Sequence, residues 1–232
     1  MSHAPVNQNL ALLGRAAEKL APLLDRIVFV GGCVSGLLVS DPAAAPVRPT
    51  IDVDAVLEIY SYTEFTQLET RMNELGFRHR EDSLICRWFA DDLVLDLMPV
   101  DPAILGFSNK WYGPSVDHAT TIRLEKQEIR IITAPYFLAT KLEAFRGRGK
   151  NDFRVSRDLE DIITVIDGRP ELTEEVALSE ASLQEYLQEE FAALLANAEF
   201  RDALPGHLLP DTASQQRIGI VLGRIQQIID QA

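Results

Sequence analysis

Two aspartates one residue apart, Asp52 and Asp54, constrain the fold more than any other feature of the chain. Side chains alternate between the two faces of a β-strand, so a strand over residues 51–59 would place both carboxylates on one face. Two neighbouring negative charges repel each other, and a bound cation removes that repulsion. Mg²⁺ fits this role because it prefers oxygen ligands and takes one or two protein carboxylates together with substrate phosphates. The pair favours metal-assisted phosphoryl chemistry; the alternative is an exposed strand face or helix-capping acids.

The composition excludes several classes of protein. The 232 residues, 47% of them hydrophobic, are enough for one large domain or two small ones. A net charge of -13 argues against general DNA binding, because nonspecific affinity for nucleic acid depends on neutralising phosphates. Neither a zinc site nor a disulfide framework is expected, since the two cysteines form no C-x-x-C pair. Without a long apolar run or a signal-peptide pattern, we expect a cytoplasmic protein that does not enter a membrane.

Hydrophobic periodicity divides the chain into a mixed α/β part, residues 1–134, and a helical part, residues 135–232. The first part is predicted to contain helices over 8–24, 33–39 and 63–75, strands over 27–30 and 51–59, and two hairpins, 84–89 with 93–98 and 121–124 with 128–132. Residues 99–120 are predicted to be irregular. The second part is predicted to contain helices over 135–145, 156–166, 179–198 and 213–229. The predicted fold is therefore α+β: a mixed β-sheet flanked by helices, followed by a helical C-terminal domain.

A pair of glycines, Gly31 and Gly32, stands between the predicted strand 27–30 and the next helix. Glycines let a phosphate approach the backbone, and a helix N-terminus offers free N–H groups and the positive end of its dipole. Ser35 lies one turn further on and would add a hydroxyl. The pattern is typical of a nucleotide-phosphate site, and an ordinary turn is the alternative.

A third acid, Asp96, lies inside the otherwise apolar run 93–98. Burying an unpaired carboxylate is costly, so this run predicts either a partner for Asp96 or an edge strand that exposes it to water. On a strand beside Asp52 and Asp54, Asp96 would complete a three-carboxylate site for one or two metal ions.

Taken in order, the Gly-Gly turn, the D-x-D pair and the third strand-borne aspartate resemble the DNA polymerase β-like nucleotidyltransferase superfamily. The resemblance covers residues 27–98 and implies transfer of a nucleoside monophosphate from an NTP to an acceptor. It implies that Mg²⁺ or Mn²⁺ is bound by the three acids, Asp52, Asp54 and Asp96. It also implies that the phosphates contact the glycine turn, Gly31, Gly32 and Ser35. Nineteen residues separate Gly32 from Asp52, more than is usual in the superfamily. The proline- and alanine-rich loop over residues 41–46 is expected to absorb the excess.

A basic island lies in the helical part, where residues 141–157 carry six cationic and two acidic side chains. A triphosphate or an RNA end is a natural partner for such an island. A solvated helix-loop-helix with local ion pairs is the plainer interpretation. Asp158 and Asp161 are three residues apart and are therefore expected on one helical face.

Together with the upstream motifs, this segment is similar to the AbiEii/AbiGii-type toxin nucleotidyltransferases. Their pattern, R-x-T-x-D-h-D followed by K-L-x-A, basic residues and D-x-x-D, is matched by seven residues: Arg48, Thr50, Asp52, Asp54, Lys141, Asp158 and Asp161. The resemblance implies that Thr50 and Lys141 contact the nucleotide, Lys141 through its phosphates, and that Asp158 or Asp161 assists catalysis. It suggests RNA or tRNA as the acceptor and a protein antitoxin as a partner.

The last predicted helix carries an apolar stripe that would suit a purely structural oligomerisation protein, although such stripes more often face the core: Ile218, Val221, Leu222, Ile225, Ile228 and Ile229. Two other functions also stay open on the sequence. A noncatalytic nucleotide-binding or partner-binding homologue is one, although the intact set of acids argues against it. A small-molecule nucleotidyltransferase of the antibiotic-modifying kind is the other, because an acidic surface suits a cationic drug.

Overall fold

The computed structural model describes residues 8–106, 108–148 and 152–231. The chain forms two compact units: the first comprises the residues up to Gly36 together with Arg48–Thr133, and the second comprises Leu37–Val47 and the chain from Ala134 onward. The first unit holds a mixed β-sheet with helices and the second is helical, which confirms the predicted fold class. Among the described residues, no helix combines the length and the apolar character needed to cross a membrane.

The first unit is built on a six-stranded mixed sheet. Its strands are β1 Ile27–Val30, β2 Val53–Leu57, β3 Arg87–Ala90, β4 Leu93–Pro99, β5 Thr120–Leu124 and β6 Gln127–Ile131. They lie in the order β3-β4-β2-β1-β6-β5. β1 is antiparallel to β2 and parallel to β6, and β2 is parallel to β4. All four residues of β1 are buried, as expected of an apolar strand at the centre of a sheet that is covered on both faces.

Five helices belong wholly to the first unit or begin in it: α1 Gln8–Lys19, α2 Ser35–Leu38, α3 Tyr62–Glu74, α4 Pro102–Leu105 and α5 Tyr112–Asp117. The helix predicted over 8–24 ends at Lys19 and continues as the 3-10 turn Ala21–Arg26, because Pro22 lacks the N–H that an α-helix requires. The segment 99–120, predicted to be irregular, contains α4 and α5. Each covers at most six residues, which is too short for helical periodicity to reveal.

Both predicted hairpins are confirmed: β3 pairs with β4, and β5 pairs with β6. Their turns use Asp91 and Glu125, whose φ angles are 54° and 52°. The first hairpin begins at Arg87 rather than at residue 84, and its register places Arg87 opposite Asp96.

The second unit contains seven helices within the described residues: α6 Ala134–Arg148, α7 Arg157–Gly168, α8 Leu172–Ala177, α9 Ala181–Ala196, α10 Ala198–Ala203, α11 Thr212–Gln216 and α12 Ile218–Ile229. The helix predicted over 179–198 stops at Asn197, whose side chain accepts hydrogen bonds from the N–H groups of Glu199 and Phe200 and so starts α10. The helix predicted over 213–229 is likewise divided at Arg217. Val221, Ile225 and Ile228 of α12 are buried, so its apolar stripe faces the core.

The segment 37–47 is anchored in the second unit by specific contacts. The backbone N–H groups of Ser40 and Asp41 both donate to the Gly168 carbonyl at 2.9 Å. The Arg217 guanidinium donates to Asp41 at 2.7 Å and to Asp167 at 2.7 Å. The loop predicted to absorb excess length over 41–46 is therefore attached at its start to the C-terminal end of α7.

Gly168→Ala is expected to lower the free energy of unfolding by about 1–2 kcal/mol, because overpacking outweighs the helix-forming gain of alanine. A Cβ at this position would lie 2.7 Å from the Val39 Cγ1. Gly223→Ala is the matched control, since it is an exposed α12 glycine with nothing within 4 Å of its Cβ position, and it should stabilise slightly. Urea unfolding of both variants measures the two effects, and equal stability changes would contradict the close contact with Val39.

Candidate functional site

Two aspartates lie opposite each other on neighbouring parallel strands. The register pairs Asp54 of β2 with Asp96 of β4, and paired positions point to the same face of a sheet. Asp96 is only 8% exposed, and β4 is an inner strand between β3 and β2. The alternative in which Asp96 lies on an edge strand and faces water is therefore wrong.

Asp52 lies one residue before β2 begins, because the strand is shorter than the predicted range 51–59. Its carboxylate is partly exposed and accepts a hydrogen bond of 2.7 Å from the Thr50 hydroxyl. Thr50, predicted to contact the nucleotide, thus orients the first acid of the D-x-D pair in this structure.

The D-x-D segment is positioned by Asn9, a residue that the sequence reasoning missed. Asn9 is 1% exposed on α1, and its side-chain amide donates to the Arg48 carbonyl and accepts from the Thr50 N–H, both at 2.9 Å. The signal was available in the sequence, because Asn9 shares the apolar face of α1 with Leu12, Leu13 and Ala16. A buried amide in that position needs partners, and the backbone of residues 48–50 supplies them.

Arg87 is the second residue that the sequence reasoning missed, and it is the partner that buried Asp96 requires. Its Nε donates to one oxygen of Asp96 at 2.7 Å and its terminal nitrogen donates to the other at 2.6 Å. The same terminal nitrogen lies 3.3 Å from a carboxylate oxygen of Asp52. These hydrogen bonds to Asp96, with the negative charges nearby, raise the pKa of Arg87, so the guanidinium stays protonated. Once the hairpin turn is placed at residues 91–92, strand pairing alone predicts this contact.

Metal binding by Asp52, Asp54 and Asp96 stays a prediction. Across the described ranges, no three His, Cys, Asp or Glu side chains are placed so as to hold a metal ion. The candidate metal ligands of the three acids are all carboxylate oxygens, which Mg²⁺ and Mn²⁺ prefer. In this arrangement the Arg87 guanidinium is bonded to both Asp52 and Asp96.

The glycine turn packs against the side chain of Asp54. Val30 at the end of β1 pairs with Asp54, and Gly31 follows with a φ of 69°. A Cβ at Gly31 would lie 2.7 Å from the Asp54 Cβ, inside van der Waals contact. Glycine is therefore required here both by the backbone angle and by the Asp54 side chain.

The helix predicted over 33–39 is instead a 3-10 turn, Gly32–Val34, followed by the single turn of α2. Ser35 is 1% exposed, and its hydroxyl donates to the Gly32 carbonyl at 2.8 Å. This bond stabilises the turn. Phosphate binding by Gly31, Gly32 and Ser35 stays a prediction.

An ion cluster occupies the region of the second unit in which the basic island was predicted. Lys141 of α6 places its Nζ 2.6 Å from Asp161 and 3.3 Å from Asp158, both on α7. Arg148 donates two hydrogen bonds to Asp158, at 3.0 and 2.9 Å. Lys141 and the two acids are buried, while the Arg148 side chain is 72% exposed. Local ion pairs, the plainer interpretation, thus account for these four residues; Lys150 lies outside the described residues.

The predicted site residues therefore fall into two groups, each within one unit. The first unit brings together the acids, the glycine turn and Thr50. The second brings together Lys141, Asp158 and Asp161, so that both candidates for the downstream acid contact the same lysine.

Comparison with known proteins identifies the fold. No protein-family model matches the chain, and no curated protein matches it. An antigenic nucleotidyltransferase-like protein from Paracoccidioides brasiliensis matches in structure with a TM-score of 0.50 and 20% identity, covering 87% of this chain and 94% of its own. JHP933 from Helicobacter pylori matches with a TM-score of 0.50 and 13% identity, covering 98% and 94%. An H. pylori protein described as a candidate nucleotidyltransferase matches with a TM-score of 0.52 and 13% identity, covering 99% and 96%.

These similarities establish a nucleotidyltransferase-like fold for the chain. The resemblance drawn from the glycine turn and the ordered acids is thereby confirmed at the level of the fold. The closer resemblance to the AbiEii/AbiGii-type toxins stays a prediction.

Gly31→Ala is expected to lower the free energy of unfolding by about 2–5 kcal/mol, the sum of a left-handed backbone and an overpacked contact. Gly106→Ala is the matched control, because Gly106 has a φ of 75° but nothing within 4 Å of its Cβ position. It should cost only the backbone part, about 1–2 kcal/mol. Urea unfolding measures both losses, and equal losses would show that Asp54 does not crowd Gly31.

Asp158 should make the stability of the fold depend on acid pH. Burial works to raise the pKa of Asp158, but the Arg148 hydrogen bonds and the charges of Lys141 and Arg148 outweigh it, so the pKa lies below its ordinary 3.8. A lowered folded pKa means that ionised Asp158 stabilises the protein above about pH 4, and that this contribution is lost as the pH falls through the folded pKa.

Asp158→Asn is therefore expected to cost about 3 kcal/mol at pH 7, because one partner of a buried ion pair is removed. The difference from the wild type should shrink as the pH is lowered from 5 to 3. Urea unfolding across this range tests the expectation, with Asp202→Asn on an exposed position as the control. A constant difference at every pH would contradict the stabilising role of the charge.

Proposed function

We propose that the protein is a Mg²⁺-dependent nucleotidyltransferase that transfers a nucleoside monophosphate from an NTP to an acceptor hydroxyl. The observation that carries the proposal is the in-register pair Asp54 and Asp96, with Asp54 packed against Gly31, on a nucleotidyltransferase-like fold. A carboxylate pair beside a glycine turn combines cation ligands with backbone that a phosphate can approach.

In this proposal Asp52, Asp54 and Asp96 would hold Mg²⁺ or Mn²⁺, and the ion would neutralise negative charge on the triphosphate. The backbone at Gly31 and Gly32 faces the phosphates. The acceptor hydroxyl attacks the α-phosphorus, the bond to the β-phosphate oxygen breaks, and pyrophosphate leaves. Asp96, the most buried of the three acids, would take the proton of the acceptor hydroxyl, or would share in metal binding while water takes that proton.

The proposed acceptor is an RNA or tRNA end, in a toxin–antitoxin or abortive-infection context with a protein antitoxin and a cytoplasmic location. The cationic side chains of residues 141–157 support an anionic partner. Among them, the Arg148 guanidinium is largely exposed even though it is bonded to Asp158, so it is accessible to a phosphate. Lys141 would act from within its ion cluster, and Asp158 or Asp161 would be the downstream acid.

One observation favours a second candidate, a noncatalytic nucleotide-binding or partner-binding homologue. The guanidinium of Arg87 already places a positive charge beside both Asp52 and Asp96. A protein that only binds a nucleotide or a partner has no need of a metal at these acids. A small-molecule acceptor is supported only by the acidic surface of the chain.

Incubation with each α-labelled NTP, Mg²⁺ and either total RNA or an aminoglycoside should yield a labelled product with one acceptor class. Asp54→Asn is expected to reduce labelling by at least about 100-fold, the usual effect of losing one group that acts on the transition state. Asp92→Asn removes the same charge from the turn between β3 and β4 and should label as the wild type does.

Undiminished labelling by an Asp52→Asn/Asp54→Asn double variant would show that the acids have no role in transfer. Nucleotide binding without any labelled product would favour the noncatalytic homologue. Label in the aminoglycoside and not in RNA would replace the proposed acceptor.

A further inference from the structure

We infer that Arg87 and a divalent cation compete for Asp52 and Asp96, so that Arg87 holds these acids in the metal-free protein and releases them when the ion binds. Arg87 is thus a positioning residue with two states. This inference rests on the proposed function, because it assumes that the acids bind a metal at all.

The contacts of Arg87 leave little of Asp96 for another cation. Both oxygens of Asp96 accept a hydrogen bond from the guanidinium, in the two-pronged geometry that gives arginine–carboxylate pairs their strength. The third contact, to Asp52, carries the same guanidinium across the gap between the two acids. A metal ion that bridges Asp52 and Asp96 would need the space that the guanidinium now fills.

The charges make the two occupants exclusive. The Arg87 guanidinium carries a permanent positive charge, so a divalent cation at the same carboxylates would meet a like charge at short range. The acids themselves favour occupation by one cation or the other, because Asp96 is buried and costly to leave unpaired. The expected outcome is an exchange of partners.

The Arg87 side chain borders a cavity that could hold the guanidinium after it leaves Asp52 and Asp96. This cavity has a volume of about 520 Å³ and is lined also by Glu81 and Asp82. These two acids would receive the released guanidinium as alternative partners. In the same cavity, the Arg80 guanidinium lies 3.8 Å from the centre of the Phe89 ring, so this wall already accommodates one arginine.

Calorimetric titration with Mn²⁺ alone tests the competition. Arg87→Gln should bind Mn²⁺ about 10- to 100-fold more tightly than the wild type, a change of the size seen when a neighbour of metal ligands is altered. Arg71→Gln is the matched control, because it removes the same charge from an exposed position on α3 of the same unit. Asp54→Asn should weaken binding in both the wild-type and the Arg87→Gln background.

A measurement on the wild type keeps the test independent of how well Arg87→Gln folds. The Nε–H resonance of Arg87, assigned by its disappearance in Arg87→Lys, should move when Mg²⁺ saturates the protein, because its hydrogen bond to Asp96 is lost. An unmoved resonance at a Mg²⁺ concentration that shifts the backbone amide of Asp54 would overturn the inference.

The outcomes separate the inference from the proposed function. Wild-type Mn²⁺ binding that depends on Asp54, with an affinity that Arg87→Gln leaves unchanged or weakens, refutes the competition and leaves the metal-dependent function standing. Absence of Mn²⁺ binding in the wild type and in every variant overturns both. Binding that appears only in Arg87→Gln overturns the release of the acids in the wild type and favours the noncatalytic homologue.

Discussion

The hydrogen-bonded contact between Arg87 and Asp96 is the interaction on which the candidate site depends. The interior of a sheet cannot hold an ionised carboxylate without a partner, and Asp96 is buried on an inner strand. Arg87 meets that requirement from the adjacent antiparallel strand and reaches Asp52 as well. The parallel pairing of β2 with β4 then places Asp54 beside Asp96, and Gly31 makes room for the Asp54 side chain.

The second unit also pairs its buried aspartates with cationic side chains. Buried Asp158 and Asp161 share Lys141, and buried Asp167 pairs with Arg217, which also holds Asp41. Such pairs contribute little net stability compared with apolar packing, but removing one member leaves the other as an unpaired buried charge. These ion pairs link α6 to α7, and they link α7 to Arg217, the residue just before α12.

Much of the fold could be predicted from the sequence, because its elements carry strong local signals. The β3–β4 hairpin is marked by Asp91 and Asp92 between apolar runs, and α7 by Ser156 at its start, where the hydroxyl caps the helix. The order of glycine turn, D-x-D pair and third acid predicted the nucleotidyltransferase-like fold.

The rest depended on pairing partners that lie far apart in the sequence. Asn9 bonds the backbone of residues 48–50 from about 40 positions away, and Arg87 meets Asp52 from 35 positions away, so neither partner is visible in the sequence around the acids. The short helices α4 and α5 are also invisible to periodicity: α4 begins at the Asp101 side chain, which accepts from the Ala103 N–H, and α5 buries only Ser115 and Val116.

The attachment of residues 37–47 has a consequence for dissecting the molecule. These residues follow the glycine turn in the chain, yet Ser40 and Asp41 bond to Gly168 and Arg217. A fragment cut before Ala134 would carry them away from those partners, and the complementary fragment would lack them. To produce the second unit on its own, a gene would have to be rearranged so that residues 37–47 are joined to the chain from Ala134 onward.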